Sequence, residues 1–161
     1  MKVAIYSQYP KKQSKDSLKA LTKELLDFNA ELFLENEFYN DIKSELSNPS
    51  VYQTFNTLDK SFDLFVSIGG DGTILRAITF VKDLNIPIIG INTGRLGFLA
   101  TIQPEDITQA ILQIKNKAYT LSKRTLLSIE TSPENSDIKE LNFADRKSTR
   151  LNSSHGYISY A

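Results

Sequence analysis

Cysteine is absent from this chain, and histidine and methionine occur once each. Without thiols there can be no disulfide, thiolate zinc site or thiol nucleophile, and the expected compartment is the cytoplasm. A single histidine, His155, narrows metal chemistry further, and no metal-ligand set is expected. Charge of one sign is also missing: 19 lysines and arginines face 19 aspartates and glutamates, so no basic field draws the protein onto nucleic acid or an anionic membrane. No apolar segment approaches the roughly 20 residues of a membrane span, and the start, MKVAIYSQYP, is too short for a signal-peptide core. These absences leave a soluble protein whose partners are small molecules.

At 161 residues the chain is long enough for a real core, burying roughly 70% of its unfolded surface. Val3 and Ile5 alternate with their neighbours in a first strand that ends at Pro10. A helix capped by Ser14 follows, with Leu18, Leu21, Leu25 and Phe28 on one face. Residues 31–35 (ELFLE) read as a second strand, and residues 37–60 as a polar loop with a short helix. The run Asp63 to Ile68 (DLFVSI) is nearly all apolar, as in a strand buried on both faces of a sheet.

A glycine loop follows at once. Ile74, Ile78 and Val81 then share a helical face up to Asn85-Ile86-Pro87, where the apolar strand IPIIGI (86–91) begins and runs into NTGRLGFL (92–99). Pro104, with Glu105 and Asp106, opens another amphipathic helix carrying Ile107, Ala110, Ile111 and Ile114. Alternating strands and helices predict an α/β fold with an open, mostly parallel, Rossmann-like sheet. Residues 125–131 and 139–144 read instead as a hairpin around Ser132-Pro133. Three parts are therefore expected: an α/β nucleotide-binding domain over 1–120, the first strands of a C-terminal β-sandwich over 121–144, and a patternless tail over 145–161, foreign to the rest or disordered.

The loop SIGGDGTIL (67–75) lies where ligands sit in such sheets, beyond the carboxyl end of a strand and at the opening of a helix. Gly69, Gly70 and Gly72 let the backbone approach an anion, and Thr73 adds a hydroxyl. The spacing fits neither GxxxxGK[ST] nor GxGxxG. An aspartate stands where a phosphate would be repelled, which makes sense if Asp71 faces a hydroxyl that attacks phosphorus. A kinase is the leading chemical reading, and a tight turn built from favoured turn residues is the bland one.

GGDGTIL followed about twenty residues on by NTGRLGFL resembles the NAD kinase family, its bacterial branch in particular, over residues 1–144. Lipid and sugar kinases share a GGDG-like loop without the second motif, and remain the alternative enzyme class. The resemblance implies transfer of a phosphoryl group from ATP, or in some members polyphosphate, to the 2′-hydroxyl of the adenosine ribose of NAD, giving NADP. A divalent cation, Mg²⁺ for preference, would ride on the phosphates. Asp71 would be the catalytic base. Asp71, Gly72, Arg76, Asn92 and Thr93 would contact NAD, while Gly69, Gly70 and Thr73 would hold the ATP phosphates. For Phe98 and Leu99, core packing beneath the second loop is expected.

By the same resemblance the strand at Leu141 to Ala144 should lead into an Asn-Glu or Asn-Asp pair and a large β-sandwich, neither of which follows, and Asn142 does not take that pair's place. The expectation is thus a truncated chain with little or no turnover, the alternative being a fragment that binds nucleotide without catalysis, and without the homo-oligomer that the family tends to form.

Overall fold

The computed structural model describes residues 1–95, 97–123, 127, 128, 143 and 144. Two compact units are formed, Met1–Thr120 and Leu121–Ala161. In the first, five strands make one parallel sheet in the order β3-β2-β1-β4-β5: β1 (Lys2–Tyr6), β2 (Glu31–Glu35), β3 (Tyr52–Phe55), β4 (Leu64–Gly69) and β5 (Ile88–Asn92). In the second, Leu127–Ser128 (β6) pairs antiparallel with Phe143–Ala144 (β7). The remainder of the expected hairpin, its turn and the tail with His155 lie outside the described residues.

The near-continuous apolar runs of the sequence have a direct cause: both faces of the sheet are covered. Alternate side chains of a strand point to opposite faces. Val3, Ile5, Leu32, Leu34, Val66 and Ile68 pack on one side against helices α1 (Lys12–Leu26), α2 (Asn36–Ile42) and α4 (Ile107–Lys115), through residues such as Leu21, Phe38 and Ile111. Ala4, Tyr6, Phe55 and Phe65 face the other way, onto Ala77 and Val81 of α3 (Asp71–Val81). Phe65 stacks on Phe80 at 6.1 Å, and Phe55 meets Phe62, Phe65 and Phe80 at 5.9–6.2 Å, so aromatic rings fill this second layer. The two buried rings among them, Phe55 and Phe65, contribute roughly 1.5 to 3 kcal/mol each by their burial.

Two sequence expectations change. Residues 37–60 hold more than a short helix: besides α2 they include β3, an edge strand whose Gln53 and Thr54 are exposed, so it lacks the apolar pattern of a central strand. Its register with β2, Leu32 beside Tyr52 and Glu35 beside Phe55, comes from backbone pairing and from Tyr52, whose hydroxyl meets Thr22 Oγ1 at 2.6 Å. Ser14 is not the cap of α1. The helix starts at Lys12 after an extended Lys11, whose carbonyl accepts from Lys15 N–H at 3.1 Å. Ser14 and Ser17 are buried in its early turns, where small side chains let the helix lie close on its neighbours.

Chain direction reverses its course across the sheet between β1 and β4. From β1 the chain moves outward through α1 to β2; from β4 it moves the other way through α3 to β5. The crevice at the carboxyl ends of these two strands is the topological switch point at which open α/β sheets bind ligands.

Candidate functional site

Register brings the two glycine loops together. Gly69, the last residue of β4, pairs with Asn92, the last of β5, so both loops leave the sheet at one level. Thr93 N–H donates to the Gly69 carbonyl at 3.4 Å and adds a weak tie between them. Gly70 forms the N-cap of α3 with no side-chain cap. A β-carbon at Gly69 would run into the Thr73 side chain, whereas one at Gly70 or Gly72 would meet nothing within 4 Å. The outer side of the loop is therefore open at Gly70 and Gly72 and closed at Gly69. Thr73 is buried behind it, with its hydroxyl packed toward Gly69.

Asp71 opens α3, and its carboxylate reaches across to the second loop. Oδ2 accepts from Phe98 N–H at 2.8 Å, and Oδ1 from Leu99 N–H at 2.9 Å and Ala100 N–H at 3.0 Å. Hydrogen bonds to a charged partner contribute about 1.5 to 3 kcal/mol each. Asp71 is thus the clasp that folds residues 97–100 over the start of α3. Gly97 makes this approach possible, because a β-carbon there would overlap the carboxylate. Gly90 does the same one layer below, where a β-carbon would collide with Ile74 and come within 2.8 Å of the Ala100 backbone.

Asn92 shapes the second loop from inside. It is 1% exposed; its Nδ2 donates to the carbonyls of Arg95 at 2.9 Å and Ala100 at 3.3 Å, and its Oδ1 accepts from Gly94 N–H at 2.8 Å. Its amide is engaged within the loop. Phe98 corrects an expectation: its side chain is not core but 61% exposed, because it is the backbone N–H that the fold uses there. Leu99 is half-buried.

Arg76 belongs to a different part of the site. It lines a cavity of about 260 Å³ at the carboxyl ends of β1 and β2, together with Tyr6, Ser7, Glu35, Glu37 and Asp41. Glu35 is buried there because it caps α2, accepting from Glu37 N–H at 3.0 Å and Phe38 N–H at 2.9 Å. Burial pushes the Tyr6 phenol up to about 12; Arg76 opposes that shift and Glu35 and Glu37 add to it. Tyr6 is therefore a hydrogen-bond donor at neutral pH.

The structure brings Asp71, Gly72, Asn92 and Thr93 into one pair of loops and places Arg76 on the neighbouring cavity. Sequence reasoning missed Gly97 and the amides of Phe98 to Ala100, although the glycine in RLGFL was a signal that backbone approaches closely there. It also missed the cavity carboxylates, which no local pattern marks. Among the described residues no three or more of His, Cys, Asp and Glu are placed to hold a metal ion.

Residues 3–119 match the family described as the ATP-NAD kinase N-terminal domain. The chain is 43% identical over 147 residues to the NAD kinase of Flavobacterium johnsoniae, covering 89% of this chain and 50% of that protein. With the NAD kinase of Bacteroides fragilis strain YCH46 the identity is 37% over 130 residues, or 80% and 45% of the two chains. The chain therefore spans about half the length of the curated relatives that it matches. Its fold is similar to that of yeast NADH kinase complexed with NADH, with a TM-score of 0.67, 18% identity, and coverage of 84% of this chain and 44% of that one. An NAD kinase from Archaeoglobus fulgidus in complex with ATP superposes with a TM-score of 0.53 at 26% identity, covering 78% and 41%. By the extent of the match and the identity to these relatives, the chain belongs to the ATP-NAD kinase family, whose N-terminal domain it carries.

Proposed function

We propose that the protein takes part in phosphoryl transfer from ATP to NAD, with the 2′-hydroxyl of the adenosine ribose as acceptor. The single observation carrying this reading is the Asp71 carboxylate at the mouth of α3, between an open glycine loop and the 97–100 segment. The relatives named NAD kinase, and the solved kinases holding NADH and ATP, supply the substrate class.

In this mechanism the backbone N–H group of Gly70 and the start of the helix hold the donor's phosphates. Asp71 orients the ribose hydroxyl and takes its proton while the ribose oxygen bonds to the γ-phosphorus and the bond to the ADP oxygen breaks. A divalent cation, when bound on the phosphates, supplies neutralisation of their charge. The acceptor hydroxyl reaches Oδ2 by sharing it with, or displacing, the exposed Phe98 N–H. NAD contacts at Gly72, Arg76 and Thr93, and a phosphate contact at Gly69, complete the assignment. Asn92 and Thr73 would act by shaping their loops, given that both are buried.

A second reading is favoured by the same three hydrogen bonds: Asp71 is a loop anchor, and the chain binds nucleotide without turning it over. Incubation with ATP, Mg²⁺ and NAD, with NADP as readout, tests the first. If Asp71 is the base, Asp71→Asn lowers turnover by about 10² to 10⁴ while NAD still binds. Turnover within about threefold of the parent would remove Asp71 from the chemistry. Binding of both nucleotides with no NADP formed by the parent chain favours the second reading.

A further inference from the structure

The three amides that hold the Asp71 carboxylate are not equivalent. Leu99 and Ala100 donate to Oδ1 at 2.9 and 3.0 Å from partly buried positions, whereas Phe98 donates to Oδ2 at 2.8 Å where the bond faces solvent. Ala100 is fully buried, its carbonyl accepts from Asn92 Nδ2 at 3.3 Å, and its backbone passes so close to Gly90 that a β-carbon there would collide with it. The Oδ1 end of the segment is therefore fixed to β5, while Phe98 stands out in solvent. A hydrogen bond that faces water releases its donor more readily than one closed off from it, because water can satisfy the freed N–H.

A hydroxyl bound to a carboxylate oxygen sits at about 2.5 to 2.7 Å, close to the 2.8 Å at which the Phe98 nitrogen already stands. We propose that the Phe98 N–H is a placeholder for the acceptor hydroxyl: it occupies Oδ2 in the free chain and yields it when the hydroxyl arrives, while the Leu99 and Ala100 bonds to Oδ1 keep the carboxylate aimed. Phe98 is thus a positioning residue that acts through Asp71. The proposal rests on the reading of that hydroxyl as the 2′-hydroxyl of the adenosine ribose of NAD. Displacement limits what the hydroxyl adds to binding, since it gains only the difference between its own bond and the one it replaces. Affinity withheld in the ground state and realised as the proton moves to Oδ2 lowers the barrier instead of deepening the bound state.

NAD and its analogue lacking the 2′-hydroxyl of the adenosine ribose, titrated at neutral pH into the parent chain, Phe98→Ala and Phe98→Pro, test this. Alanine removes the ring and keeps the N–H; proline removes both. Phe98 is exposed and follows a glycine, so both variants should fold. The hydroxyl should improve affinity by about twofold or less in the parent and in Phe98→Ala, and by about tenfold in Phe98→Pro, where no amide competes for Oδ2. A second measurement needs no variant: in the ¹⁵N-labelled parent the Phe98 amide proton should move upfield with NAD and much less with the deoxy analogue, while those of Leu99 and Ala100 hold. An equal gain from the hydroxyl in the two variants, or Leu99 and Ala100 shifting together with Phe98, overturns the placeholder and leaves the acceptor reading standing. No gain from the hydroxyl in any of the three proteins, or no binding of NAD, overturns both.

Discussion

Gly97 lies so close to Asp71 that a β-carbon at position 97 would overlap the carboxylate, coming within 2.7 Å of Oδ2. This contact is what lets one side chain hold three successive amides, and it makes the glycine of the second loop inseparable from the aspartate of the first. Gly97→Ala should push the 97–100 segment off the carboxylate. Amide exchange at Phe98, Leu99 and Ala100 is then expected to speed up by at least about tenfold, the loss of one charge-assisted bond. Unchanged protection in that variant would mean that Asp71 does not hold the loop. The same measurement on Asp71→Asn tells how much of any lost activity is lost loop structure.

How much of this was legible beforehand follows from the kind of information each feature carries. The strands DLFVSI and IPIIGI and the helix with Ile74, Ile78 and Val81 were readable because burial on both sheet faces writes an unbroken apolar pattern. Strand β3 was not, because an edge strand held by pairing to β2 needs no such pattern. Asp71 could be picked out by its place among glycines, yet its partners lie 27 to 29 residues away and are backbone amides, which have no sequence signature. Phe98 was misjudged for the same reason: an aromatic residue suggested core, while the fold uses its N–H.

Glu35 gives a prediction about stability. It is buried, and its two oxygens accept from the Glu37 and Phe38 amides at the start of α2. Replacing an N-cap acceptor costs about 0.5 to 2 kcal/mol. Glu35→Ala should fall at the upper end, since it leaves two amides unmatched, and should lower the urea midpoint without altering the slope. A midpoint equal to that of the parent would show that solvent replaces the cap.

Tyr6 links the crevice to alkaline pH. Burial raises its pKa from 10.0 to about 12, so the folded chain retains a proton that the unfolded chain gives up in between. This contribution is whole below about pH 10 and is lost as the pH climbs to about 12, at most about 2 to 3 kcal/mol. Tyr6→Phe has no such proton, so its stability relative to the parent should improve steadily over that window. Urea titrations of both proteins at pH 9, 10.5 and 11.5 make the comparison. A constant difference would place the phenol in water in the folded state.

Lys82 offers a change in the opposite direction. It ends α3 with φ 47° and ψ −122°, exposed, with its N–H donating to the Ile78 carbonyl at 2.8 Å. A side chain in such a backbone region costs about 1 to 3 kcal/mol, while glycine adds about 0.5 to 1 kcal/mol of unfolded-state entropy to be overcome. The strain is the larger of the two. Lys82→Gly is therefore expected to stabilise the chain by about 0.5 to 1 kcal/mol, read as a higher urea midpoint at constant slope. The helix bond to Ile78 needs only the backbone and survives the substitution. A lower midpoint would mean that the lysine side chain itself contributes more than its backbone conformation costs.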